Sequence, residues 1–197
     1  MTSMTIADLT AKIKSGEVDT VVVAMTDMQG RLTGKRIHGT FFLDEVLKHG
    51  TEGCNYLLAV DVDMNTVDGY EMSSWERGYS DFALVPDMDT LRMIDWQEGA
   101  ALVLADVQWL DHTDVVASPR QILRKQVKAL KDAGMEAMCG TELEFVVYKD
   151  TYEEAWNKGY KNLIPVNQYN VDYSILGGSR IEPLLRRIRL AMAKAGM

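Results

Sequence analysis

Cysteine is scarce: Cys54 and Cys139 are the only two in 197 residues, too few for a disulfide framework and without the C-x-x-C spacing of a zinc or redox site. Both read as reduced structural thiols. Proline is also sparse, and Pro86, Pro119, Pro165 and Pro183 stand as isolated boundary marks. The longest apolar run, Ala100 to Ala105, has six residues, against the roughly 20 that cross a bilayer, so no membrane partner is expected. The residues through Glu17 interleave Asp8, Lys12, Lys14 and Glu17 with apolar positions and lack the hydrophobic stretch of a signal peptide. A cytoplasmic location is therefore expected. Basic charge is in deficit, with 21 Lys and Arg against 29 Asp and Glu and a net charge of −8. That is the wrong sign for neutralising a phosphate backbone, so nucleic acid is not an expected partner.

What is present is ordinary for a globular chain: 47% hydrophobic and 25% charged residues, in a length that suits one large domain or two small ones. At this size folding buries roughly 70% of the extended surface, so a sizeable core is available.

The first hundred residues read as a small sheet carrying one helix. Asp19 to Ala24 is a short β-branched run suited to a buried strand, and Asp27-Met28-Gln29-Gly30 follows as a turn that returns Arg31 to His38 as a second strand. Thr40 is placed to cap a helix bearing Phe42, Leu43, Val46 and Leu47 at four-residue spacing, stopped by Gly50. Asn55 to Val60, Phe82 to Val85 and Ala101 to Val107 are further strand candidates. The polar segment Leu110 to Ala117 is expected to hold no element and marks the boundary between domains at 16–110 and 111–197. Ser118-Pro119-Arg120-Gln121 has the form of a capping box, opening a helix at Pro119 with Leu123, Val127 and Leu130 on one face. A strand-like stretch follows from Glu136 to Tyr148. Ser179 and Glu182 form another such box before the stripe Ile181, Leu184, Leu185, Ile188 and Met192.

The sharpest local feature is Glu142-Leu143-Glu144-Phe145. In a strand, Glu142 and Glu144 project to one face and Leu143 and Phe145 to the other, which brings two carboxylates to within about 7 Å of each other. Their repulsion is relieved by a hard, oxygen-seeking cation such as Mg²⁺ or Mn²⁺; the alternative is a solvated strand face. Other patterns are weaker. Asp61-Val62-Asp63-Met64-Asn65 opens like a calcium loop, but Thr66 stands where glycine is needed and Met72 where the closing glutamate belongs. Gly30-Arg31-Leu32-Thr33-Gly34-Lys35-Arg36 is one residue short of a phosphate loop and reads better as a hairpin with a solvated basic tip. His38, His49 and His112 share no ligand or triad spacing, and the four tryptophans read as packing residues.

Taken together, Asp27-Met28-Gln29-Gly30-Arg31-Leu32-Thr33-Gly34-Lys35-Arg36, Gly78-Tyr79-Ser80-Asp81-Phe82 through Pro86-Asp87, Thr90-Leu91-Arg92, Ser118-Pro119-Arg120 and Gly140-Thr141-Glu142-Leu143-Glu144-Phe145 resemble the glutamine synthetase family in order and spacing. Glu52-Gly53-Cys54-Asn55-Tyr56, Trp75 and Asp150-Thr151-Tyr152 look nearer to its γ-glutamyl-amine ligase branch, which includes γ-glutamylethanolamide and γ-glutamylpolyamine synthetases. The resemblance implies an α+β chain: a β-grasp N-terminal domain followed by the opening of the catalytic domain. It also implies ATP-dependent ligation, in which glutamate and an amine (ammonia, ethanolamine or a polyamine) join through a γ-glutamyl phosphate. ATP is the implied co-substrate and Mg²⁺ or Mn²⁺ the implied cofactor, with Glu142 and Glu144 binding different cations.

Family members further use an N-terminal-domain aspartate to deprotonate the attacking amine, in an Asp-Gly-Ser-Ser motif followed by an aromatic. Asp68-Gly69 precedes Trp75 at a similar distance, but Tyr70 and Glu71 replace the serines, which is compatible with a bulkier amine. Asp68 ranks first for this role, with Asp61 and Asp63 as alternatives. The chain stops before the family's later metal, ATP and glutamate motifs, so it is expected to be the N-terminal portion of a longer enzyme that assembles as a homo-oligomeric ring, a dodecamer, and to be inactive alone. The competing reading is a non-catalytic binding or assembly module, or a catalytically lapsed relative.

Overall fold

The run after Asp19 forms the expected strand, β1 (Thr20–Thr26), and the turn at Asp27 to Gly30 returns it as β2 (Leu32–His38), paired antiparallel from Thr20↔His38 to Thr26↔Leu32. These and all other positions are seen in a computed structural model that describes residues 4–76 and 78–197. The apolar run from Ala100 becomes β5 (Ala100–Gln108), the centre of a mixed five-stranded sheet. β5 lies parallel to β1 and antiparallel to β4 (Asp81–Met93), and β3 (Thr51–Cys54) closes the far edge in the order β2-β1-β5-β4-β3. Alternation sorts the faces: Val21, Val23 and Met25 on β1 and Ala101, Val103, Ala105 and Val107 on β5 are all buried in one cluster. Leu9 from α1 (Ile6–Ser15) and Phe42 and Val46 from the helix after β2 join that cluster. The architecture is α+β.

Several expectations are corrected. Thr40 does not cap: the helical run begins two residues earlier than a Thr40 cap implies, as α2 (Gly39–Phe41), continues through a π turn (Phe42–Val46) and ends as α3 (Leu47–His49), with His38 at the N-cap. Asn55 to Val60 is not a strand. The strand here is β3, and Asn55–Leu58 forms a 3-10 turn because the buried Asn55 is drawn inward, its Nδ2 donating to the Met72 carbonyl at 3.0 Å and to Ser80 Oγ at 3.2 Å. Phe82 to Val85 is the start of a longer strand that bulges between Asp87 and Arg92.

Gly34, in the glycine-rich segment, faces Ala24 across the hairpin with φ +157°, and a Cβ there would overlap the Val23 carbonyl oxygen. The glycine serves close strand pairing rather than phosphate binding. Gly34→Ala is accordingly expected to destabilise the protein by about 3 kcal/mol. Gly30→Ala, which has open space and φ +82°, should cost about 1 kcal/mol. Thermal melts of the two variants check the difference.

α4 (Pro119–Asp132) starts at Pro119 as expected, but without the side-chain box. Ser118 Oγ is buried without a partner among the described residues, and Gln121 Nε2 instead reaches back to Asp114 Oδ1 at 3.1 Å. The expected inward face is also reversed, since Leu123 and Val127 are exposed and Gln121 is the buried residue. What attaches α4 to the sheet is charge. Arg120 Nε donates to Asp106 Oδ1 on β5 at 2.8 Å, Arg120 also pairs with Asp87 on β4, and Arg124 pairs with Asp106. The motif residues Asp87 and Arg120 thus form a structural ion network.

By compactness the chain divides into Met1–Ala137 with Lys194–Met197, and Met138–Ala193. β5 ends at Gln108, and the ionic attachment of α4 carries the first unit further along the chain. The second unit holds α5 (Tyr152–Asn157), α6 (Ile175–Ser179) and all but the last residue of α7 (Glu182–Lys194). The expected box at Ser179 and Glu182 is absent: Ser179 Oγ donates to the Ile175 carbonyl within α6, and Glu182 pairs with Arg189. The expected strand from Glu136 to Tyr148 is also absent, reduced to one bridge between Tyr148 and Pro165. A strand needs a hydrogen-bonded neighbour, and no ladder runs beside residues 135–147 among the described residues.

Candidate functional site

The three candidate aspartates sit on one miniature hairpin of the first unit. Val60 and Thr66 form an antiparallel bridge, Asp61 N–H donates to the Asn65 carbonyl at 2.9 Å, and Val67 N–H donates to the Ala59 carbonyl at 3.0 Å. Met64 turns the tip with φ +66°. Asp68 follows the return arm directly.

Their environments differ. Asp61 Oδ1 accepts from the backbone N–H of Asp63 and of Asn65, each at 2.9 Å, and Asn65 Nδ2 reaches Asp61 Oδ2 at 3.0 Å. Those hydrogen bonds, the Asn65 side chain first, hold the Asp61 carboxyl below the usual carboxylate range. Its lone pairs are engaged in closing the loop, so it acts as a structural group. Asp63 and Asp68 are exposed, with side chains that make no hydrogen bond or ion pair among the described residues. Among the described residues no group of three or more His, Cys, Asp or Glu side chains is placed to hold a metal.

The hairpin is anchored from beneath by the turn after β1, which composition alone leaves as a solvated basic tip. Arg31 Nη1 donates to the Val62 carbonyl at 2.7 Å, and Gln29 Nε2 to the Val60 carbonyl at 3.0 Å. Asp27, 1% exposed, orients both anchors: Oδ2 accepts from Arg31 Nε at 2.7 Å, and Oδ1 from the backbone N–H of Gln29 at 2.9 Å and of Arg31 at 2.8 Å. Burial pushes the Asp27 carboxyl up, but the hydrogen bonds and charge of Arg31 outweigh it and leave the group below its ordinary range. At the far end of the loop, Trp75 packs edge-on to Tyr79 with ring centres 5.1 Å apart, and Tyr79 likewise to Tyr56 at 6.2 Å.

Glu142 and Glu144 lie in the second unit, in the segment that forms no ladder. Both are exposed and hold no hydrogen bond or ion pair among the described residues. Leu143 and Phe145 are exposed as well, at 86% and 56%, so the expected division into a wet and a packed face is not realised. As a donor set, two uncommitted carboxylates fit a hard divalent cation in type and fall short of its octahedral shell in number. Cys54 and Cys139 are free thiols, but Cys139 is exposed rather than structural.

Comparison with known proteins gives these residues a context. The family described as glutamine synthetase, catalytic domain, matches residues 116–197. A γ-glutamylethanolamide synthetase of Streptomyces coelicolor is 62% identical over 192 residues, 98% of this chain and 42% of its own length. The chain belongs to the glutamine synthetase family. Within it, the resemblance to the γ-glutamyl-amine ligase branch is further carried by a glutamate–isopropylamine ligase of a Pseudomonas species, 32% identical over 94% of this chain and 40% of the relative. The chain therefore spans about two fifths of the length of these two relatives. The fold agrees with that of ligand-free GmaS, with a TM-score of 0.68 at 14% identity over 97% of this chain and 40% of that one. A glutamine synthase homologue gives 0.63 at 18% identity over 91% and 39%.

Proposed function

We propose that this chain is the N-terminal part of an ATP-dependent glutamate–amine ligase with ethanolamine as the amine. The observation that carries the reading is the 62% identity, over nearly the whole chain, to a γ-glutamylethanolamide synthetase. The free carboxylates of Asp68, Glu142 and Glu144 suit the chemistry. In the reaction the side-chain carboxylate of glutamate attacks the γ-phosphorus of ATP and releases ADP. The neutral amine then attacks the acyl phosphate, and phosphate leaves with the bonding electrons while the amine loses a proton. Asp68, exposed and uncommitted, would attract the substrate ammonium and take its proton, because the cationic form has no lone pair with which to attack. Tyr70 and Glu71, where ammonia-using members carry serines, are compatible with a larger amine. Glu142 and Glu144 would each contribute oxygen ligands to divalent cations, Mg²⁺ or Mn²⁺. Such cations, when bound, neutralise charge on the transferring phosphoryl group.

The mixed sheet with its helices would be the family's β-grasp domain, residues 111–197 the opening of the catalytic domain, and the whole protein a homo-oligomeric ring in the cytoplasm. The test is phosphate release by the whole protein with ATP, Mg²⁺ and glutamate, comparing ethanolamine, ammonia and putrescine. Release stimulated most by ethanolamine is the expected result. Release stimulated equally or better by another amine would overturn the substrate assignment, and no release with any amine from folded protein would replace the ligase with an assembly module.

A further inference from the structure

The turn Asp27 to Arg31 is a motif segment that the proposed chemistry does not use, yet it touches the loop that carries the candidate base. We infer that Gln29 and Arg31, oriented by the buried Asp27, are positioning residues for the amine-binding loop, setting the place of Asp68 by holding the outward arm of its hairpin. This rests on the ligase reading and deepens it.

The geometry is specific. Gln29 and Arg31 engage alternate carbonyls, those of Val60 and Val62, on one arm of the hairpin. Arg31 Nη2 adds contacts at 3.2 Å to Gln29 Oε1, which braces the two anchors against each other, and at 3.3 Å to Met64 Sδ at the tip. The outward arm is tied to the return arm by the Val60–Thr66 bridge and the Val67 to Ala59 hydrogen bond, and Asp68 is the next residue. A displacement of Val60 and Val62 is therefore transmitted across the hairpin to Asp68. The support below is rigid, because Asp27 extends β1, whose residues Val23 and Met25 are in the core. The guanidinium fork suits this work, since it spans a carboxylate and a carbonyl at once, which a lysine ammonium on a flexible stem does not do in fixed geometry. Gln29 is exposed, so its replacement leaves the core and the Asp27–Arg31 pair intact.

The experiment uses the whole protein and two readouts. In Gln29→Ala, hydrogen exchange of the backbone amides in residues 59–68 should quicken about tenfold while β1 and β5 keep their protection. With ATP and glutamate saturating, the KM for ethanolamine should rise about tenfold, and the KM values for glutamate and ATP should stay within about twofold of wild type. In an Asp68→Asn background the same change should have no further effect on the amine, because the group being positioned is gone. Arg31→Lys should reproduce the pattern more strongly. Faster exchange with an unchanged amine KM would overturn the positioning role while leaving the ligase reading intact. A KM rise shared by glutamate and ATP would overturn it in favour of general destabilisation. A wild-type protein that releases no phosphate with any amine would overturn the ligase reading and this inference with it, whatever the exchange data show.

Discussion

Replacing Glu144 with glutamine in the whole protein is expected to lower glutamate- and amine-dependent phosphate release by about a hundredfold or more. Losing an outer-shell partner of a metal ligand alone typically costs about 10- to 100-fold in metal affinity or activity, and a ligand itself is more directly placed. The substitution is nearly isosteric and falls at an exposed side chain with no bonded partner among the described residues, so the fold should be untouched. The change removes only charge and one hard anionic donor. Because phosphoryl transfer depends on neutralising charge spread over the γ-phosphoryl oxygens, the loss should fall on the formation of the acyl phosphate. It should therefore appear equally with every amine. Titrating Mg²⁺ at saturating glutamate separates two forms of the effect: recovery at high metal means weakened binding, and a plateau below wild type means a displaced cation. Glu142→Gln is expected to behave similarly. Wild-type release from Glu144→Gln would remove this residue from the metal site and return the pair to the solvated-face reading.

How much of this is legible in the sequence depends on where each determinant lies. The alternation in Val21, Val23 and Met25 and the run Ala100 to Ala105 carry their own signal, and both became central strands in one register. The α+β class follows from such local patterns. α1 carries its own local marks: Thr5 and Asp8 form a complete capping box and Gly16 closes the helix at φ +78°. Asn55 to Val60 looked like a strand because nothing local reveals that Asn55 is to be buried holding residues 72 and 80. The buried face of α4 is hidden from the sequence for a similar reason. Its apolar stripe is outweighed by Arg120 and Arg124, whose partners Asp87 and Asp106 lie on two different strands. Residue type and spacing single out Glu142 and Glu144 as candidates, whereas the strand expected to hold them depends on a neighbour that sequence periodicity cannot supply. The anchoring role of Gln29 and Arg31 had no sequence signal short of the family motif, since each reaches 31 residues along the chain.

For Asp68, the expected result of replacement by asparagine is a loss of about a thousandfold in kcat/KM for the amine, within the range for removing a general base. The loss should combine a weaker attraction for the ammonium form with the absence of an acceptor for its proton. The pH dependence distinguishes this from simple damage. Below the pKa of the amine, the fraction of neutral nucleophile rises about tenfold with each pH unit, so a variant that relies on solvent to deprotonate its substrate should recover as pH increases while wild type changes little. An amine that is already neutral near neutral pH, such as hydroxylamine, should show a much smaller deficit, because it needs no proton removed before attack. The neighbouring aspartates serve as controls with different expected signatures. Asp61→Ala removes the acceptor for the hydrogen bonds that close the loop and should impair the amine step at every pH, with loosened exchange protection of residues 59–68. Asp63→Asn should be close to wild type. If the pH-recoverable loss appeared instead in Asp63→Asn and not in Asp68→Asn, the base would be Asp63 at the tip of the hairpin, and the replacement of serines by Tyr70 and Glu71 would bear on a different part of the amine site.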